Sequence, residues 1–291
     1  MSSSALMQYL LTGLSQGGLY SLVGLGFVLI YNVTGIINFA QGEFVMLGAM
    51  LTVTFQHLGL PVPLEVMLAV ACTGLIGAVL HMATLRPLRS TGPLTLVIVT
   101  IGLSMALRGI ALLVWGTDPL VVRPFTPGAP LRILGGAMMR QQVWILGATA
   151  TTVVALYVFL DRTVIGKAFR ACMINPTGAT LVGIDIGRMS TMAFAMGAAI
   201  GALCGAVFSP TLASYDMGIA LGVKGFVAAV LGGLTSVPGV ILSGFIIGIA
   251  ESVGTAVNTS GQKDAIALII MLAILLLRPR GLFGIYRSKR V

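Results

Sequence analysis

Apolar runs about as long as a bilayer is thick recur along the whole chain, parted by short polar stretches, and this pattern limits the fold more than any other feature. A membrane-crossing helix needs about 20 mostly apolar residues. Runs of that kind lie at about 8–30, 36–56, 64–84, 93–115, 141–160, 189–209, 222–256 in two pieces, and 264–278. Mean hydropathy is +1.04, and only 9% of residues are charged, against roughly 25% in a soluble domain. The expected class is all-α and polytopic: one membrane domain over 1–291 with about eight to nine transmembrane helices. A chain of 291 residues then has no room for a soluble catalytic domain, so any energy source comes from elsewhere.

The stretch near 222–239 is the irregular one. Gly232-Gly233 and Pro238-Gly239 flank a polar turn, and such pairs break helices. Either the break lines a path, as discontinuous helices do in transporters, or it is a tight turn between two ordinary spans.

The net charge of +9 does not imply nucleic acid, because the basic residues gather in a few loops. Topology accounts for them through the excess of Lys and Arg in cytoplasmic loops. Arg86, Arg89, Arg162, Lys167, Arg170, Arg188, Arg278, Arg280, Arg287, Lys289 and Arg290 belong on that side. Arg123, Arg132, Arg140 and Lys263 fall opposite. The C-terminus is then cytoplasmic and the N-terminus outside. Met1–Leu10 has no basic n-region or small-residue cleavage site, so it is expected to be an uncleaved start.

Residues 161–188 form a charged island in this apolar chain. Lys167 and Arg170, with the small residues Ala171, Ala179 and Gly183, suit a short helix docked into another protein. Two small-residue patterns point to helix packing: Gly197, Gly201 and Gly205 at i, i+4, i+8, repeated by Gly244 and Gly248. Such seams bring backbones close. They serve either as fixed contacts or as surfaces on which helices slide.

The strongest polar cluster joins the first two spans: Asn32, Thr34, Asn38, Gln41 and Glu43. A carboxylate inside a span costs about 3 kcal/mol if it faces lipid. Glu43, expected a turn or two into the second span, therefore points into the bundle, either in a path or gate or as an internal lock. Arg108 is the natural counter-ion for an acid such as Glu43 or Glu251. Cys72, Cys172 and Cys204 have no C-x-x-C spacing, and His57 and His81 have no ligand spacing, so no metal or disulfide is implied.

Enzyme motifs are missing. Gly166-Lys167 is followed by Ala168 and lacks the upstream glycine of a phosphate loop, and neither H-E-x-x-H nor G-x-S-x-G occurs. No cofactor is expected on this chain.

A resemblance is carried by several motifs in order: Gly18 through Glu43, Arg86-Pro87-Leu88-Arg89, Gly166-Lys167-Ala168-Phe169-Arg170-Ala171 with Gly183-Ile184, Ala228-Ala229-Val230-Leu231-Gly232-Gly233, and Arg278-Pro279-Arg280-Gly281-Leu282-Phe283-Gly284. Together they resemble the LivH-type permeases of bacterial branched-chain amino acid ABC transporters. The resemblance implies an importer in the bacterial inner membrane. Its other parts would be a second, related permease, two cytoplasmic ATPase subunits that use the ATP, and a periplasmic solute-binding protein. It also implies that Gly166, Lys167, Ala168, Arg170, Ala171, Ala179, Gly183 and Ile184 form the coupling element. Gln41 stands where such permeases often carry His. Urea, amides and other amino acids are alternative cargoes within the family. An ion-coupled secondary transporter would need more buried acids and would leave the island unexplained.

Overall fold

The computed structural model describes residues 3–88, 91–133, 135–257, 268–269, 272–273, 276 and 281–283. Helix α1, Ser3–Thr34, rises about 48 Å at 1.5 Å per residue, more than the roughly 30 Å of hydrocarbon it crosses. Leu22, Val23, Leu25, Val28, Leu29 and Ile30 are fully buried, so α1 is the hub of the bundle. It stops at Gly35, whose φ of +71° few other residues adopt. Residues 36–40 are not helical, and Asn38 Oδ1 accepts the Ala40 N–H at 3.1 Å.

Helix α2 therefore begins at Gln41 and runs to His57, five residues later than the apolar run at 36–56 implies. Glu43 sits in its first turn, where a carboxylate is favoured by the helix dipole, and not one or two turns deep. The apolar Ile36, Ile37 and Phe39 are packed in an irregular segment that hydropathy cannot tell from helix.

Helix α3, Val62–Leu80, continues into a π-helical turn at His81–Leu85. Helix α4 spans Pro93–Trp115, with Pro93 in its first turn and Gly116 ending it. Helix α5 is Arg140–Arg162. Between α4 and α5 a small hairpin, β1 Leu131–Ile133 and β2 Gly136–Met138, pairs antiparallel with Arg132 opposite Ala137. The Ala137 N–H donates to Gln8 Oε1 of α1 at 2.6 Å, which places the hairpin at the N-terminal end of α1.

At the other end lie α6, Val164–Ile174, and α7, Pro176–Leu181. Helix α8, Ile186–Phe208, crosses back. Helix α9, Met217–Gly232, and α10, Val237–Val257, are joined by a turn in which Ser236 N donates to Gly233 O at 2.8 Å. Gly233, at φ +92°, caps α9. The two-piece reading of 222–256 holds, and its break is a tight turn.

Among the described residues, six helices are long and apolar enough to cross a membrane, and α9 is a shorter apolar one. The all-α polytopic class is thereby borne out. The last apolar run, 264–278, the basic residues Lys263, Arg278, Arg280, Arg287, Lys289 and Arg290, and Arg89 lie outside the described residues, apart from Leu268, Ile269, Leu272, Ala273 and Leu276 of that run. Burial separates the helices: 89% of the α1 span is covered, but only 28%, 22% and 28% of α3, α4 and α5. The latter three carry the outward surface.

Small residues set the close contacts. Gly205 lies against the Val45 and Ala49 backbones, Gly201 against Gln41 and Phe44, and Gly197 against Ile30 and the Gly26 carbonyl. Gly13 and Gly17 of α1 meet α10 so closely that a Cβ on Gly17 would stand 2.6 Å from Phe245 Cα. Gly232 packs directly on Gly239.

Candidate translocation site

Glu43 is 2% exposed and Ser104 8%, yet both lie at the wall of a cavity of about 220 Å³ between α2, α4 and α9. On α4, Ser104 and Arg108 are spaced i, i+4 and so share a face. Ser104 Oγ donates to Glu43 Oε1 at 2.8 Å, and Arg108 Nη2 donates to the same oxygen at 2.5 Å. The counter-ion role expected of Arg108 is met by Glu43. The rest of the wall is apolar: Phe27, Phe39, Ile101, Met105, Val223 and Phe226, with the Phe226 ring centroid 5.6 Å from Phe27 and 5.7 Å from Phe39. Gly42 is apposed to Gly218 and Gly222, where a Cβ on Gly222 would stand 3.0 Å from Gly42 Cα. This contact brings the α9 backbone to the cavity.

A second buried ion pair lies elsewhere on α9. Lys224 Nζ donates to Glu251 Oε1 at 2.6 Å, and Tyr20 Oη donates to Glu251 Oε2 at 2.7 Å. The Lys224 ammonium also stands 5.5 Å from the Tyr20 ring centre. Glu251 is 1% exposed. It ties α1, α9 and α10 together.

The other polar candidates serve the backbone. Gln41 Nε2 donates to the Gly197 carbonyl at 2.9 Å, linking α2 to α8. Asn38 shapes the entry to α2. Asn32 Nδ2 reaches the Thr235 carbonyl at 3.5 Å. Thr34 Oγ1 donates to Ile30 O and accepts the Ile36 N–H, and it borders a separate pocket of about 160 Å³ with His81, Arg86 and Ser190. Of the five polar candidates, Glu43 alone lines the larger cavity. Ser104, Gly218 and Gly222 were not anticipated; the signal was the i, i+4 spacing of Ser104 and Arg108 inside an apolar run.

The 161–188 segment folds into a two-helix shelf. Thr163 Oγ1 caps α6 by accepting the Gly166 N–H at 2.9 Å, and Asn175 Oδ1 caps α7 through the Gly178 N–H at 3.0 Å. Asp185 caps α8 by accepting the Arg188 N–H at 3.1 Å, and this bond holds its carboxyl below the usual carboxylate range. The inner side of the shelf is Gly166, Phe169, Cys172 and Ala179, with Gly166 pressed against the Phe159 carbonyl. Ala168, Ala171 and Ile184 are half-buried. Outward stand Val164 and Leu181, each 84% exposed, with Ile174 and Val182 and the exposed Lys167 and Gly183. Arg170 is exposed, but its guanidinium is paired with Asp161.

A multi-pass helical bundle with a cavity among its spans and a two-helix shelf at one end is the architecture of a membrane permease. Residues 9–277 match the family described as branched-chain amino acid transport system, permease component, and the chain belongs to that family. It is 31% identical over 293 residues to the high-affinity branched-chain amino acid transport system permease protein BraD of Pseudomonas aeruginosa, covering 96% of this chain and 95% of that one. It is 28% identical over 298 residues to the permease protein LivH of Escherichia coli K12, with 96% and 95% covered. Among solved structures, PsaBC from Streptococcus pneumoniae in complex with Fab aligns with a TM-score of 0.51 at 16% identity over 95% of this chain and 92% of that one, a likeness of fold.

Proposed function

We propose that this chain forms one half of the translocation path of an ATP-driven importer of leucine, isoleucine and valine in the bacterial inner membrane. A second, related permease completes the path, two cytoplasmic ATPase subunits drive it, and a periplasmic binding protein delivers the cargo. The chain carries no phosphate loop and hydrolyses nothing itself. The observation that carries the reading is the two-faced shelf: α6 and α7 bury Gly166, Phe169, Cys172 and Ala179 against the bundle and present Val164, Ile174, Leu181 and Val182 outward. Exposed apolar residues rimmed by charge mark a surface for a protein or a membrane, and a shelf that extends from the end of the bundle suits a protein partner. The shelf then lies in the cytoplasm, with the C-terminus on the same side.

Arg170 is spent on Asp161 within the shelf, and Gly183 has φ +86°, so substitutions there disturb the fold as well as docking. Leu181 and Lys167 are the cleaner probes. The test is uptake of radiolabelled leucine into vesicles containing this chain, its partner permease and the ATPases. Uptake should require both ATP and the binding protein and should persist when ion gradients are collapsed. Uptake that follows an ion gradient without ATP would overturn the reading.

A further inference from the structure

We propose that the Glu43–Arg108 pair is a recognition site for the charged end of a zwitterionic α-amino acid, so that the permease itself discriminates against neutral cargoes such as urea and amides. The inference rests on the permease reading above and adds a substrate class to its cavity.

The argument is the way in which the pair is left incomplete. Arg–carboxylate pairs are frequently bidentate, with two parallel bonds engaging both oxygens. Here Arg108 and Ser104 both donate to Glu43 Oε1, while Glu43 Oε2 and Arg108 Nε are buried and find no hydrogen-bond partner among the described residues. One acceptor and one donor, both on charged groups, are thus left over. Leaving buried charged groups under-bonded is costly, and a ligand that supplies the missing partners relieves that cost.

A zwitterionic amino acid carries the complement, an ammonium to donate and a carboxylate to accept. Gly218 of α9 lies beside Oε2: a Cβ there would stand 3.0 Å from it, so a side chain at this position would crowd that oxygen. Arg108 is 28% exposed and borders the cavity. Next to this charged corner lie Phe27, Ile101, Met105, Val223 and Phe226, apolar surface for a hydrocarbon tail. Urea and simple amides have neither the charges nor the tail.

The experiment uses the complete transporter, this chain with its partner permease and ATPases, reconstituted in proteoliposomes with the binding protein and radiolabelled leucine. Three variants are compared per assembled complex, quantified by co-elution of the subunits: Arg108→Lys, which keeps the charge and removes the planar fork; Arg108→Gln; and the double variant Glu43→Gln with Arg108→Gln, which removes both charges and keeps hydrogen-bonding groups. Leucine uptake should fall at least tenfold in all three. Recovery of the double variant to within twofold of the unsubstituted transporter would show that the pair only locks α2 to α4, and would overturn this inference while leaving the permease reading intact. Uptake of urea or acetamide, but not leucine, by the unsubstituted complex would overturn this inference together with the branched-chain cargo proposed above.

Discussion

Charged residues that a hydropathy profile treats as interruptions turn out to be the internal fixings of this bundle. Glu43 with Arg108, and Glu251 with Lys224, each join different helices. The first pairing was legible in part: an acid and an arginine inside apolar runs each need a partner, but the sequence left Arg108 open to Glu43 or Glu251. The second was not: nothing in the spacing of Lys224 and Glu251 links them, and only the packing of α9 against both α1 and α10 brings them together. Lys224→Met should leave the buried Glu251 carboxylate without its cation, destabilising the chain by about 3–5 kcal/mol. Adding Glu251→Gln should restore much of that, since the Tyr20 hydroxyl retains an acceptor. Thermal unfolding of the detergent-solubilised protein reads both changes. Equal midpoints for Lys224→Met and the unsubstituted chain would mean that the pair contributes no net stability.

At the level of helices, glycine periodicity in α8 foretold a close seam, and the structure supplies its partner: α8 packs Gly201 and Gly205 onto α2. The start of α2 could not be read from the sequence, because Ile36, Ile37 and Phe39 are as apolar as a helix and only the positive φ of Gly35 diverts the chain. Glycines also differ in kind. Gly205→Ala would drive a methyl into the Val45 carbonyl, whereas a methyl on Gly147 of α5 would meet nothing within 4 Å. Gly205→Ala should therefore cost about 1–3 kcal/mol through overpacking, and Gly147→Ala should gain roughly 0.5–1 kcal/mol of helix propensity. Opposite shifts in unfolding midpoint would confirm the contrast. The shelf gives a third expectation. Leu181→Asp, on a side chain 84% exposed, should change stability by no more than about 0.5 kcal/mol. If Leu181 anchors the ATPases, the same change should cost about 2 kcal/mol of binding, roughly a thirtyfold loss of affinity. Normal ATPase retention in a pull-down would mean that the outer face of the shelf is simply solvated.

Across the whole molecule, the two ends of the bundle carry different chemistry, and this predicts its orientation. At the shelf end stand Arg86, Arg162, Lys167, Arg170 and Arg188. At the end where the hairpin meets α1 stand Arg123, Arg132 and Arg140; both ends also carry acids, Asp161 and Asp185 at the shelf and Asp118 and Glu65 at the hairpin end. If cytoplasmic loops carry the excess of Lys and Arg, the expected arrangement has the shelf in the cytoplasm and the start of α1, where Gln8 is bonded to Ala137, outside. Cysteine labelling can decide it, since the native thiols interfere little: Cys172 and Cys204 are buried, and burial pushes the Cys172 thiol up, away from the reactive thiolate. With Cys72 replaced by Ala, Arg132→Cys should react with a membrane-impermeant maleimide in cells whose outer membrane alone is opened. Leu181→Cys should react only once the inner membrane is permeabilised. The reverse pattern would invert the bundle, put the shelf out of reach of any cytoplasmic motor, and remove the basis for ATP-driven coupling through α6 and α7.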